Sequence, residues 1–255
     1  MKYKKKTGCG CFLLMALIAA ILTLRLWGPA PEETYPQADR AIAAFCEDHN
    51  LSPAEYPEEL RALLERNPET LDFVLHYPLE HDQKADVDLS GYDADAVPLF
   101  LQWDRQWGYL PYGGQCAALT GCGPLCLSMA GYYLTGSSEF SPDRILEFAG
   151  ENGYYSPGNG SSWTLISEGA GKLGLTAREL PLVKSRILEH LQKGEPIICA
   201  MGPGDFTTSG HFIVLVGVED GLLQVNDPNS IEKSETLWAF EDIESQFRNL
   251  WVISR

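Results

Sequence analysis

Residues 121–134, GCGPLCLSMAGYYL, decide how this chain is read. The tetrapeptide Gly121-Cys122-Gly123-Pro124 precedes an apolar run over 125–134, and proline is tolerated in the first turn of a helix but no deeper. Cys122 is therefore expected at the mouth of a helix. Unpaired backbone N–H groups point outward there, and the local field favours an anion. A thiolate is the nucleophilic form of cysteine, and helix N-termini promote it. The plain alternative is a buried structural cysteine before a tight turn; what lies downstream separates the two.

His211 opens the apolar segment HFIVLVGV, and Asp227 closes the next, LLQVNDP. Between them, Glu219-Asp220-Gly221 predicts a three-residue hairpin loop with Gly221 in the left-handed conformation. In that register Val218 faces Leu222 and Ile213 faces Asp227. His211 and Asp227 then share a face as diagonal neighbours within hydrogen-bond reach. A two-residue loop would throw Asp227 onto the opposite face.

Thiol, imidazole and carboxylate form the set that nucleophilic acyl transfer requires. The imidazole holds the thiol proton and later gives it to the leaving amine, and the carboxylate fixes the imidazole tautomer. The order Cys, His, Asp matches the papain-like solution on an α+β frame. A tetrahedral intermediate also needs donors for its oxyanion: the Cys122 N–H and a side-chain amide. Gln102, Gln106 and Gln115 all precede the thiol. Gln102 lies in the apolar-aromatic run PLFLQWDRQWGY, which can lock an amide against a core. Gln115 sits in a Gly-rich loop, where it would be held less firmly, and stays open as the alternative.

Around these residues, helices are predicted at 142–150, 163–173, 184–193 and 241–247. Short apolar runs predict strands at 196–201, 211–218, 222–226 and 250–253. Helices first and strands last argue for an α+β fold, with an antiparallel sheet packed on the helix that bears Cys122. Upstream, 32–37 reads as a short stalk and 39–47 as a brief amphipathic helix. Ser52-Pro53 and Asn67-Pro68 act as start signals for two more helical stretches, carrying Leu60, Leu63 and Leu64, then Leu71, Phe73 and Val74. This small helical region ends near Tyr77-Pro78, and aspartate-rich residues 79–97 follow as a connector. The expected division is 1–31, 32–96 and 97–255. Cys126 and Cys199 read as core residues, and Asn229 as the centre of an Asx-type turn. His49, His76, His81 and His190 read as surface groups.

The net charge is −16, but 1–31 carries five basic residues and no acid, which leaves 14 basic against 35 acidic groups in the remainder. Such a body repels phosphate, so nucleic acid is excluded as a partner. The basic cluster Lys2, Lys4, Lys5 and Lys6 precedes an uncharged apolar run over 7–24, with Arg25 and Trp27 behind it. That pattern predicts an uncleaved single membrane anchor, with residues 32–255 on the extracytoplasmic side. Pro31 directly after Ala30 disfavours signal-peptide cleavage. Five of the seven cysteines lie beyond this segment, so at least one stays unpaired or pairs between chains. Cys116, Cys122 and Cys126 do not have the spacing of a paired-CxxC zinc site, and neither a metal nor a cofactor is implied.

LQWDRQWGY, GCGPLCLSMAGYYLTG, GDFTTSGHFIVLVG and VNDPNS together resemble the C-thirty-nine-like cysteine peptidases. This papain-like group is related to the double-glycine leader peptidases that process bacteriocin precursors. The resemblance spans about 97–255. It implies a papain-like cysteine peptidase fold, with Cys122 as nucleophile, His211 as general base and acid, Asp227 as its orienting partner and Gln102 in the oxyanion hole. The glutamine of the processing peptidases usually lies close before the cysteine, whereas Gln102 is twenty positions away. The expected function is a membrane-anchored thiol hydrolase that cleaves a peptide or amide bond through an acyl-enzyme. The rival expectation is a non-catalytic domain that binds peptides or cell-wall fragments in the same cleft.

Overall fold

Ser52 and Asn67 cap the two turns, Pro53–Glu55 and Pro68–Thr70, that introduce helices from the start signals read above. The computed structural model describes residues 34–93, 95–158 and 160–255; the predicted anchor at 1–31 lies outside the described residues. Among the described residues no helix is long and apolar enough to cross a membrane. Helices α1 (Pro36–His49), α2 (Glu58–Arg66) and α3 (Leu71–Glu80) come first. They bury Ala38, Ile42, Leu60, Leu63, Leu64, Phe73 and Val74. Helix α3 runs through Pro78 to Glu80 rather than ending at Tyr77-Pro78. A proline this near the C-terminus forfeits one backbone bond, and the last turn is held by His81 stacked on Tyr77 at 4.2 Å and by the ion pair of Arg105 with Glu80.

A hairpin of β1 (Pro111–Tyr112) and β2 (Gln115–Cys116) leads through the single turn α4 (Ala117–Thr120) into α5 (Cys122–Thr135). Helix α5 is apolar on all sides, with Leu125, Cys126, Leu127, Met129 and Ala130 fully buried, as befits a helix at the centre of a fold. Next come α6 (Pro142–Glu151) and the small hairpin β3 (Tyr155–Ser156) with β4 (Gly160–Ser161). The helix expected over 163–173 is present over 164–172, wound as a π-helix at Leu165–Gly169 before it runs into the short α7 (Ala170–Lys172). Gly169 and Gly171 weaken the regular α-helical alternative there.

The rest of the chain builds the sheet: β5 (Thr176–Glu179), α8 (Lys184–Gln192), β6 (Ile197–Met201), β7 (His211–Glu219) and β8 (Leu222–Asn226). After them come α9 (Ile231–Glu235), β9 (Leu237–Trp238), α10 (Phe240–Ile243) and β10 (Phe247–Ser254). The six strands lie in the order β5-β10-β6-β7-β8-β9, and every pairing is antiparallel. Helix α5 lies across β7. Phe212, Val214, Ile198, Ala200, Trp251 and Ile253 join its core cluster, whereas Ile213, Leu215, Ile197, Met201 and Val252 join a second cluster with Ile187, Leu191 and Ile243. Covering both faces explains why β6 and β7 read as continuous apolar runs, without the alternation of a half-exposed strand. Residues 36–255 form one compact unit. The α+β, papain-like architecture expected from the sequence is the one observed.

The hairpin between β7 and β8 departs from the expected geometry in an informative way. Glu219 pairs with Leu222, so the loop has two residues, with Asp220 at φ 50° and Gly221 at φ 82°. Positive φ at both centres is the demand of the type I′ turn, which Asp-Gly meets well. This loop alone would have put Asp227 on the wrong face. Further along, however, the register shifts between Leu215 and Gly217, leaving Val216 as an extra residue on β7, and Val214 pairs with Asn226. The bulge restores the parity that the shorter loop removed. Continuing by one step sets Asp227 opposite Ile213, with His211 two residues further along the same face.

Candidate active site

Cys122 is the first residue of α5, with Gly121 at the N-cap, and is half-buried. The helix begins at the thiol itself, three residues before the apolar run, because Gly123 and Pro124 both fit the first turn. The hairpin of β3 and β4 presses directly on this turn. A Cβ built on Gly123 would lie 2.6 Å from both Cβ and Oγ of Ser161, so position 123 accepts only glycine without displacing the hairpin. Ser161 is fixed in turn by a 2.9 Å hydrogen bond between its hydroxyl and that of Tyr112.

His211 begins β7 opposite Met201, and its side chain is only 8% exposed. Its Nε2 lies 2.6 Å from Oδ1 of Asp227, which is fully buried. This arrangement leaves Nδ1 as the ring nitrogen available to the sulfur. Burial works against a charged imidazole. The charge and hydrogen bond of Asp227, followed by the hydrogen bond and charge of Cys122, outweigh it and raise the His211 pKa from 6.5 to about 10. Both Asp227 and Cys122 thus favour the protonated ring.

Asp227 is shaped by its own turn. Its Oδ1 also accepts from the Asn229 N–H at 2.8 Å, its N–H donates to Ser234 Oγ at 2.9 Å, and its Oδ2 is buried without a partner. The Asx-type turn is therefore made by Asp227 as acceptor, and Asn229 supplies the backbone donor. Sequence reading placed the turn correctly but named the wrong residue as its centre.

Gln102 joins this turn to the entrance of α5. Its backbone N–H donates to Pro228 O at 2.7 Å, and its Nε2 donates to Ala118 O at 2.5 Å, one helical turn before Cys122. Its Oε1 is buried without a partner. Gln115 is exposed in the hairpin of β1 and β2, and Gln106 turns its Oε1 to the Asp88 N–H. Of the three glutamines, only Gln102 is engaged at the entrance of α5.

The five described cysteines are all free. Burial pushes Cys126 and Cys199 well above the ordinary thiol range and raises Cys116 as well. The remaining histidines do have partners. His49, His76 and His81 each set Nδ1 against the carbonyl four residues back, and His190 lies 2.6 Å from Glu195 with its side chain 12% exposed. His49 is exposed, as the sequence reading had it, whereas His76, His81 and His190 are half-buried, the last against a carboxylate five residues further on.

The free thiol of Cys122 opens the central helix α5, and the His211 imidazole, held by the buried Asp227 carboxylate, opens the strand of the antiparallel sheet that α5 packs on. Residues 94–255 match the Peptidase_C39 like family, more than half of the chain, and the protein belongs to that family. It is accordingly a cysteine peptidase-like hydrolase. No curated protein matches the chain closely enough to count as a relative. Among solved structures, the chain is similar to the peptidase domain of Streptococcus ComA, a bi-functional ABC transporter involved in a quorum-sensing pathway. The identity is 21%, with 53% of this chain and 91% of that one covered, at a TM-score of 0.41. The corresponding domain of Streptococcus mutans ComA is 18% identical, over 52% of this chain and 91% of that one, at a TM-score of 0.37.

Proposed function

We propose that Cys122, His211 and Asp227 form the catalytic triad of a hydrolase that cleaves peptide or amide bonds through a thioester intermediate. The sulfur adds to the carbonyl carbon, forming a C–S bond and moving the carbonyl electron pair onto oxygen. The Cys122 N–H and the second amide hydrogen of Gln102, beyond the one given to Ala118 O, receive that oxyanion. As the C–N bond breaks, the leaving amine takes the proton held by His211. Water then attacks the thioester, His211 takes the water proton, and the C–S bond breaks to release the carboxylic product and restore the thiolate beside the protonated imidazole. Asp227 stays ionised throughout, fixing the ring and stabilising its cation.

The observation that carries this reading is the 2.6 Å contact between His211 and the fully buried Asp227, with Cys122 acting on the same imidazole. The chain is further proposed to be tethered by its basic-apolar segment at 1–31, with the hydrolase on the extracytoplasmic side and a peptide or amide-containing molecule as substrate. Incubating the full chain with a peptide library and with cell-wall fragments tests the reading. Turnover that disappears in Cys122→Ala supports it. Ligand binding that survives Cys122→Ala, with no turnover by the wild type, would replace it with a binding domain.

A further inference from the structure

The turn that carries Asp227 is gripped by residues about 160 positions earlier in the chain. Asn67 Nδ2 donates to Asn229 O at 2.7 Å. Glu69 closes the other side, with Oε2 accepting from the Ile231 N–H at 2.7 Å and Oε1 from the Glu232 N–H at 3.0 Å and the Ser230 hydroxyl at 3.3 Å. Ser230 Oγ accepts from the Lys233 N–H at 3.2 Å. The first three N–H groups of α9 are thereby satisfied, two of them by a carboxylate from the far end of the sequence. A five-residue helix has little stability of its own, so this outside cap decides where it sits.

The grip reaches the site in one step. Asn229 gives its N–H to Asp227 Oδ1, while its carbonyl accepts from Asn67 and from Trp103 Nε1. The peptide units that flank Asn229 are thus held from both ends, and Asp227 Oδ1 is aimed at His211 as a consequence. Asn67 and Glu69 lie outside the 94–255 stretch that matches the family.

We propose that Asn67 and Glu69 are positioning residues for Asp227, which makes the N-terminal helical region a working part of the site; the proposal rests on the triad assigned above. Neither residue touches the reacting atoms. Asp227 and Cys122 are the titratable groups that act on the His211 ring, and Glu69 reaches it only through the turn.

The test compares Glu69→Ala, Glu69→Gln and Arg105→Ala in the full chain. Arg105 also joins the helical region to the body, through Asp72 and Glu80, but makes no contact with the Asp227 turn. Four quantities are read: Tm, the His211 titration midpoint by imidazole NMR, and kcat and KM on any substrate found. Glu69→Ala is expected to lower the His211 midpoint by about one pH unit or more. It should also reduce kcat by about 10- to 100-fold with little change in KM, the scale of effect that a small misplacement produces. Glu69→Gln, which keeps one acceptor oxygen, should recover part of both effects. Arg105→Ala should lower Tm and leave the midpoint and kcat in place. An unchanged midpoint in Glu69→Ala, or equal shifts in Glu69→Ala and Arg105→Ala, overturns the proposal. If Glu69→Ala does not fold, Glu69→Gln decides by the same midpoint. A wild type without turnover would count against the hydrolase reading alone, because the midpoint still tests the positioning.

Discussion

Replacing Asp227 with asparagine keeps the shape of a fully buried side chain and removes its charge. In the wild type the His211 pKa stands at about 10 against an ordinary 6.5. That gap of roughly 3.5 units corresponds to about 5 kcal/mol at ~1.4 kcal/mol per unit. Burial opposes the protonated ring and is the largest single influence on it, so the support from Asp227 and Cys122 exceeds the net gap. Without the Asp227 charge, burial wins, and the His211 midpoint falls to 6.5 or below. Because the folded pKa is raised, the stabilisation from this group is fully present below about pH 6.5 and is lost as pH rises through about 10. Asp227→Asn should therefore unfold more easily than wild type at pH 6, and the difference should shrink by pH 10. Asparagine also permits the wrong imidazole tautomer, and turnover should fall by about 10³- to 10⁴-fold, as it does when a serine-type triad loses its acid charge. Imidazole NMR titration, denaturant melts at the two pH values and turnover rates together check the prediction. A His211 midpoint that stays near 10 in Asp227→Asn would refute the reasoning, since the 2.6 Å contact would then not be what holds the proton.

Gln102→Ala removes the side-chain amide at the entrance of α5 and should reduce kcat by about 10²- to 10³-fold, the usual loss for one oxyanion donor; Gln115→Ala, in an exposed hairpin, should leave kcat alone, and the opposite ranking would reassign the role. Gly123→Ala forces a methyl to within 2.6 Å of Ser161 and should cost about 1–3 kcal/mol in denaturant melts, as overpacking does. Deleting Val216 while keeping the Asp220-Gly221 turn removes the bulge and turns Asp227 to the other face; loss of the high His211 midpoint is expected, and its retention would show that the bulge does not set the register.

The helix that Cys122 opens, the α+β order of elements and the pairing of His211 with Asp227 were all legible in the sequence. Each rests on local chemistry: proline near a helix start, apolar runs of strand length, and an Asp-Gly turn. The route to the His–Asp pairing was less legible. A three-residue loop and a two-residue loop followed by a bulge give the same final register; the signal that separates them is Gly217, a lone glycine inside a strand and directly after the unpaired Val216. The helix expected over 163–173 was legible from its apolar spacing, but its π-type winding at Leu165–Gly169 was not, because that winding depends on tertiary contacts. Asn67 and Glu69 were legible only as a local helix start. Asn67 does cap its own turn, and its second role, on a turn 162 residues away, has no signature in a single sequence. The closeness of Ser161 to Gly123 belongs to the packing of a hairpin against α5, which no local pattern marks.

The most direct test of the central claim is the rate at which Cys122 reacts with a small alkylating reagent near pH 6.5, located by mass spectrometry and compared with His211→Asn. A free thiol two pH units below its pKa is only about 1% ionised, so a sulfur paired with a cationic imidazole should react about 10-fold or more faster than an exposed cysteine in a peptide. The account predicts that advantage in the wild type and its disappearance in His211→Asn. Equal rates for Cys122 and the peptide thiol, or a fast Cys122 that is indifferent to His211, would contradict it.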